Sequence, residues 1–273
     1  MTDLDDGRLA ELDYQTWVRS FAIDTRVEIV DGPELLIRRS DVRHDYLSSV
    51  FGAWLEPAAA TDRIEAVIGD LGREGRPFIW SVWPSDTPDD LPDRLVRAGL
   101  DDDGEGPLMA CSLAEVSALD EAPPAGLDVR DVRSPDEIAE VVTFALGPVG
   151  DEGVGDEVEG LEVFGAVIRR LAAEAEPRLR LFGGWLDGRL VTSSGLHTGT
   201  GVAGIYAVHT AEASRGKGYG RALTLAAMRA GRDLGARTAV LLASELGEPV
   251  YRRIGFREVG SVRFLRWPGV TAT

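Results

Sequence analysis

A strand-like run, 202-VAGIYAVH-209, leads to an amphipathic helical pattern at 219–234 through the connector 215-RGKGYG-220. Glycine at 216, 218 and 220 lets the backbone turn with successive N–H groups pointing the same way. The helix that opens behind the loop adds the positive end of its dipole, so the turn is a seat for an anion. Arg215, Lys217 and Arg221 add positive charge around it. The chain must therefore fold with a strand, this loop and a helix in succession. The ligand to expect on the loop is a phosphate or pyrophosphate.

Two familiar phosphate loops do not fit. The nucleoside-triphosphate loop requires G-x-x-x-x-G-K-[ST]; here Gly216-Lys217 is followed by Gly218, and position 211 is alanine. The dinucleotide loop requires G-x-G-x-x-G and an acid at the end of the next strand. Position 221 is arginine, and the strand 238–243 ends in Ala243-Ser244. The pattern [RQ]-x-x-G-x-[GA] is met by Arg215, Gly218 and Gly220.

The segments 208-VHTAEASRGKGYGRAL-223 and 241-LLASELGEPVYRRIGF-256 together resemble the GNAT superfamily of N-acetyltransferases. The first is similar to that family's strand-end Val, Thr, short Glu-Ala connection and Arg-Gly-x-Gly loop. The second is similar to its next strand and Tyr-x-x-x-Gly-Phe helix. The match is close over 202–256 and looser over 127–266. The resemblance implies an α/β, mixed-sheet GNAT (acyl-CoA N-acyltransferase) fold with acetyl-CoA as co-substrate. It implies that the backbone of Gly216, Lys217, Gly218, Tyr219, Gly220 and Arg221, with Arg215 beside them, holds the CoA pyrophosphate. Pantetheine would lie between splayed strands 202–209 and 238–244, next to Val208 and Thr210, with the thioester carbonyl near the backbone of Val208. Tyr251 falls at the family's usual general-acid position, where a phenol protonates the departing thiolate. The base stays open among Glu245, Glu212, His209 and a water chain.

The implied activity is acetyl transfer to a primary amine, small-molecule or peptide, by direct attack in a ternary complex. The chain offers no well-placed Cys or Ser-His pair as a nucleophile. A non-catalytic acyl-CoA sensor, another acyl donor or an alcohol acceptor are the alternatives.

The stretch 119-LDEAPPAG-126 reads as a linker between domains. Residues 1–118 are expected to form a degenerate GNAT-like domain, and 127–273 the acetyltransferase domain. The first half carries no Arg-x-x-Gly-x-Gly loop. Its 95-LVRAGL-100 matches 251-YRRIGF-256 in place, with leucine where the tyrosine stands. This half is expected to support the acceptor site. Its predicted elements are a helix near 8–20, a hairpin at 26–38, helices at 41–54 and 62–74, a strand at 78–84 containing Trp80 and Trp83 as core residues, a helix near 88–98 and a strand at 107–113. The second half is predicted to run as a strand at 127–132, a helix opening at Ser134-Pro135, a mobile loop at 148–157, a helix at 158–175, three strands between 179 and 209, then helix 219–234, strand 238–243, helix 248–254 and strand 257–266.

The single cysteine, Cys111, lies in an apolar run and reads as a buried, inert thiol. His44, His197 and His209 show no ligand spacing, so no metal is expected. No apolar run is long enough to cross a bilayer and the first thirty residues carry no signal pattern, so the chain reads as soluble and cytoplasmic. The net charge is −17, and Lys217 is the only lysine. This composition disfavours a nucleic-acid partner and resembles that of proteins from halophiles. Residues 1–126 hold 27 acidic and 11 basic residues, a balance of −16, whereas 178–273 hold 6 and 14, a balance of +8. A basic segment around the loop suits a polyanionic ligand. Self-repulsion in the acidic half should weaken it at low ionic strength, and at about 1 M salt the screening length falls to about 3 Å. The melting temperature is therefore expected to rise strongly with KCl; a flat profile up to molar salt would contradict the halophile-like reading.

Overall fold

The computed structural model describes residues 5–147 and 155–269. The first half holds α1 (Asp6–Ser20), β1 (Val27–Asp31), β2 (Leu36–Ser40), β3 (Ser49–Phe51), α2 (Ala60–Leu71), β4 (Phe78–Val82), α3 (Leu91–Arg97) and β5 (Asp101–Ser112). The second holds β6 (Asp128–Val132), α4 (Pro135–Leu146), α5 (Gly155–Ala172), β7 (Leu179–Leu186), β8 (Arg189–His197), β9 (Ala203–Thr210), α6 (Tyr219–Asp233), β10 (Thr238–Leu242), α7 (Glu248–Ile254) and β11 (Arg257–Trp267). Most of the loop expected at 148–157 lies outside the described residues.

The chain divides into two compact units. The C-terminal unit comprises Met1–Trp17, Leu108–Pro148 and Gly165–Val259; the N-terminal unit comprises Val18–Pro107, Val149–Phe164 and Gly260–Thr273. This division differs from a cut at 119–126, because each unit borrows an element from the other half of the sequence. Residues 108–112 of β5 pair antiparallel with β10 inside the C-terminal unit. Residues 263–267 of β11 pair antiparallel with β4 inside the N-terminal unit. A fragment beginning at 119 would leave β10 with an unpaired edge and would lack α1.

The sheet of the C-terminal unit runs β5-β10-β9-β8-β7-β6. It is antiparallel throughout except for β9 and β10, which α6 connects as a crossover. Leu223, Ala227 and Met228 give α6 one apolar face, buried with Leu196, Ala203 and Ile205 of the sheet. Burial of each larger side chain contributes about 1.5–3 kcal/mol. Helix α4 opens as its sequence suggests: Ser134 Oγ accepts from the Glu137 N–H (3.3 Å) and donates to the Glu137 carboxylate (2.9 Å). Helix α1 is fixed to the sheet by Asp13, which is wholly buried and accepts from Thr200 Oγ1 (2.8 Å) and Tyr206 Oη (2.8 Å) and pairs with His197 Nδ1 (3.0 Å). Trp17 stacks on Tyr206 beside it, with ring centroids 5.1 Å apart.

The N-terminal unit repeats this plan. Its strand order is β1-β2-β3-β4-β11-β5; β3 and β4, which α2 connects, are parallel, and β1-β2, β2-β3 and β4-β11 are antiparallel. Residues 41–54 were expected to be helical. The structure instead makes Ser49–Phe51 the central strand β3, bonded to β2 on one side and β4 on the other. All three residues of β3 are buried, and a strand buried on both faces has no polar alternation to reveal it. Trp80 is fully buried in this unit's core with Val50, Ile64 and Leu95, as expected. The repeat of 95–100 in 251–256 is structural. Helices α3 and α7 each carry proline in their first turn and end at a glycine of positive φ, Gly99 (100°) and Gly255 (121°). Leu100 N–H donates to Leu95 O (3.1 Å), and Phe256 N–H donates to Tyr251 O (3.0 Å).

Asp13→Ala would leave the half-buried Thr200 and Tyr206 hydroxyls and the buried His197 imidazole without their carboxylate partner. A loss of about 3–5 kcal/mol is expected, measured as a fall in the denaturant midpoint. A change below about 1 kcal/mol would show that α1 is held by its apolar contacts alone.

Candidate functional site

The site is built from an irregularity in β9. Ser193 of β8 faces His209, yet Gly195 faces Tyr206, so Ala207 and Val208 together oppose Ser194. This is a β-bulge, and Ala207 adopts a φ of 50° within it. On its other edge β9 pairs with β10 only at Ala203 and Gly204. Past these residues the strands form no further pairs, and a cavity of about 490 Å³ opens beside Val208 and Thr210.

The glycine loop closes one end of this cavity. Gly216 and Gly218 take φ of 75° and 79°, the left-handed conformation that other residues adopt at a cost. Gly218 caps α6 without a side-chain acceptor. As a result the N–H groups of residues 216–221 have no hydrogen-bond acceptor among the described residues. Gly220 permits close approach to β9, since a Cβ there would stand 3.1 Å from Thr210 Oγ1. Thr210 Oγ1 also shares a 2.9 Å hydrogen bond with Thr192 Oγ1. Arg215 Nε donates to Thr210 O (3.2 Å), which ties the loop's start to the end of β9. Arg221 pairs with Glu121 (2.7 Å) and holds that carboxyl below the usual range.

Tyr251 enters from α7. Gly247 makes room for its ring, since a Cβ there would lie 2.8 Å from Tyr251 Cε2, and Phe256 meets the ring edge-on at 5.9 Å. Burial alone pushes the phenol up to about 12. His209 lines the same cavity. Burial, and then the charge of Arg215, push its imidazole below its ordinary value. Both groups are therefore uncharged at neutral pH.

Residues 156–256 match the acetyltransferase (GNAT) family model. Over this stretch the chain is similar to the GNAT family. A GCN5-related N-acetyltransferase from Kribbella flavida is similar in structure over 98% of both chains, at a TM-score of 0.72 and 19% identity. A GCN5-related N-acetyltransferase from Sphaerobacter thermophilus is similar over 89% of this chain and 84% of its own, at 0.59 and 17%. A tandem GNAT protein from the clavulanic acid biosynthesis pathway is similar over 98% and 97%, at 0.56 and 16%. At these identities the likeness is one of fold. No curated protein sequence matches the chain.

In the C-terminal unit the cavity gathers Val208, Thr210, Arg215, Gly216 and Gly218 with Tyr219, Gly220, Arg221 and Tyr251. Lys217 does not line it; its ammonium donates to Ala213 O (3.3 Å). Glu212 and Glu245 are exposed and also lie outside the lining. Ser244, Leu246, Val250 and Arg253 join the lining and were not singled out from sequence. Arg253 alone gave a signal, as a cation two residues past Tyr251. The second GNAT-like copy, the N-terminal unit, is closed at the corresponding place. Past β3, Thr87 N–H donates to Ala53 O (2.9 Å) and Leu55 N–H donates to Thr87 O (3.2 Å), so the two chain segments stay laced together. Leu95 fills the position of Tyr251 and is fully buried.

If the six N–H groups seat an anion, Gly218→Val should weaken acetyl-CoA binding. A β-branched residue relaxes out of the left-handed turn, and about 1–3 kcal/mol of strain must be restored on binding. That corresponds to a loss of about 5- to 150-fold in affinity by calorimetry. Unchanged affinity would remove the loop from the site.

Proposed function

We propose that the C-terminal unit binds acetyl-CoA in the cavity between β9 and β10 and transfers its acetyl group to a primary amine in a ternary complex. The observation that carries this reading is the junction of three features in one cavity: parted parallel strands, six N–H groups without acceptors among the described residues, and a buried phenol. The N–H groups and the α6 dipole suit a pyrophosphate, with Arg215 and Arg221 beside it. The backbone of β9 beyond Gly204 is left unpaired toward β10, which suits the amides of an extended pantetheine. The thioester carbonyl then falls near Val208. Attack by the amine forms the new C–N bond, the C–S bond breaks, and Tyr251 gives its proton to the departing thiolate sulfur. Because burial keeps Tyr251 protonated to about pH 12, it contributes no alkaline limb to the pH profile of kcat below about pH 10.

Tyr251→Phe keeps the ring and its packing while removing the proton. The expected result is a fall in kcat on the order of 10²–10⁴-fold with little change in acetyl-CoA affinity. Folding and binding are checked by the rise in melting temperature that acetyl-CoA should still produce. Turnover within a few-fold of the parent would exclude Tyr251 as the essential acid. A parent protein that binds acetyl-CoA and acetylates no amine would be the sensor rather than the enzyme.

A further inference from the structure

We infer that His209 is the base that takes a proton from the incoming ammonium, an assignment that rests on the transferase reading above. The geometry comes from the bulge. Val208 turns toward α6, where its Cγ1 lies 4.0 Å from the position of a Cβ on Gly220. The imidazole of His209 turns toward α4, where it meets Phe144 edge-on with centroids 5.1 Å apart and planes at 80°. A thioester carbonyl near Val208 would thus have the pyrophosphate loop on one side and His209 on the other, with both residues lining one cavity.

His209 is held firmly and left open to accept. Its carbonyl accepts from Thr192 Oγ1 (2.9 Å), and its backbone is paired opposite Ser193. Among the described residues neither of its ring nitrogens has a hydrogen-bond partner. The other histidines are engaged: His197 Nδ1 with Asp13, and His44 Nδ1 with the Tyr46 N–H. Glu212 and Glu245, the acidic alternatives, stand outside the cavity. The groups next to the imidazole are Phe144 from α4, Ser193 from β8 and Arg215 from the loop, and Tyr251, Arg221 and Arg253 line the same cavity. Burial favours a neutral ring, and the charge of Arg215 acts in the same direction.

The step balances as follows. A ring nitrogen of His209 takes one proton from R–NH₃⁺, directly or through one water, and leaves R–NH₂. The amine lone pair attacks the thioester carbon. The thiolate leaves with the Tyr251 proton, and Tyr251 is reprotonated by the second proton lost from the amide nitrogen. The imidazolium releases its proton to solvent, so one proton is liberated per turnover.

The test is the pH dependence of kcat/KM with acetyl-CoA and whichever amine turns over best in a panel of alkylamines, polyamines, amino sugars and peptides with free N termini, all of which are ammonium ions near neutral pH. A base must be unprotonated, so kcat/KM of the parent should fall as pH drops through the His209 pKa, below its ordinary value of about 6.5. That limb should coincide with the imidazole titration of His209 measured by NMR on the intact parent protein. His209→Gln should lower kcat/KM at pH 7 by about 10²–10⁴-fold. Without the base only amine already deprotonated in solution reacts. The rate of the variant should then climb about tenfold per pH unit toward the amine's own pKa. A merely structural histidine would not change the shape of the profile. A parent limb that misses the NMR titration, or a His209→Gln profile parallel to the parent's, overturns the assignment while leaving the transferase intact. No turnover of any amine by the parent overturns both.

Discussion

The parting of β9 from β10 after two paired residues is the constraint around which the C-terminal unit is organised. Backbone polar groups in the middle of a sheet are normally paired, and leaving them open is unfavourable unless water or a ligand satisfies them. Here the bulge at Ala207 turns the strand, and a non-glycine residue at φ 50° adds strain on the order of 1–3 kcal/mol. The apolar face of α6 offsets this locally, with Leu223 and Met228 wholly buried against the sheet. The same helix brings its uncapped N-terminus to the mouth of the opening. The cavity, the anion seat and the bulge are thus consequences of one interrupted pairing.

The loop, α6 and α7 were legible in the sequence because their signals are local. Glycine spacing, a cap, a helical apolar face and a Gly–Phe exit each lie within a dozen residues. The bulge was not legible: 202-VAGIYAVH-209 alternates acceptably as a plain strand, and only the pairing with β8 reveals the extra residue. The composition of 119–126 marked it as a linker, and in the structure its first two residues close a 3-10 turn, Ser117–Asp120. That composition did not reveal that Leu119 O would accept from Arg229 Nε (2.7 Å) and Glu121 would pair with Arg221, which lays the segment along α6 within the C-terminal unit. Strand exchange was hidden for a related reason. Nothing in 108–112 says that its partner lies more than a hundred residues away in β10.

The two copies show how one frame is opened or closed. Both place a parallel strand pair around a crossover helix and follow it with a short helix ending at a left-handed glycine. In the N-terminal unit, Thr87 bonds to Ala53 and Leu55, and Leu95 packs where a hydroxyl would otherwise stand. The connector 52-GAWLEPAAA-60 has one glycine, so it lacks the repeated left-handed turns that aim successive N–H groups together. Loss of the loop and closure of the wedge therefore belong together, since an unpaired gap with no ligand to fill it would only destabilise.

Hydrogen exchange resolved to single residues, with and without saturating acetyl-CoA, tests the central claim most directly. The amides of 216–221 have no acceptor among the described residues and should exchange fast in the free protein, then become strongly protected when the pyrophosphate accepts from them. The amides of 52–60 should be unaffected. Unchanged exchange at 216–221 under saturation, or protection confined to 52–60, would contradict the account.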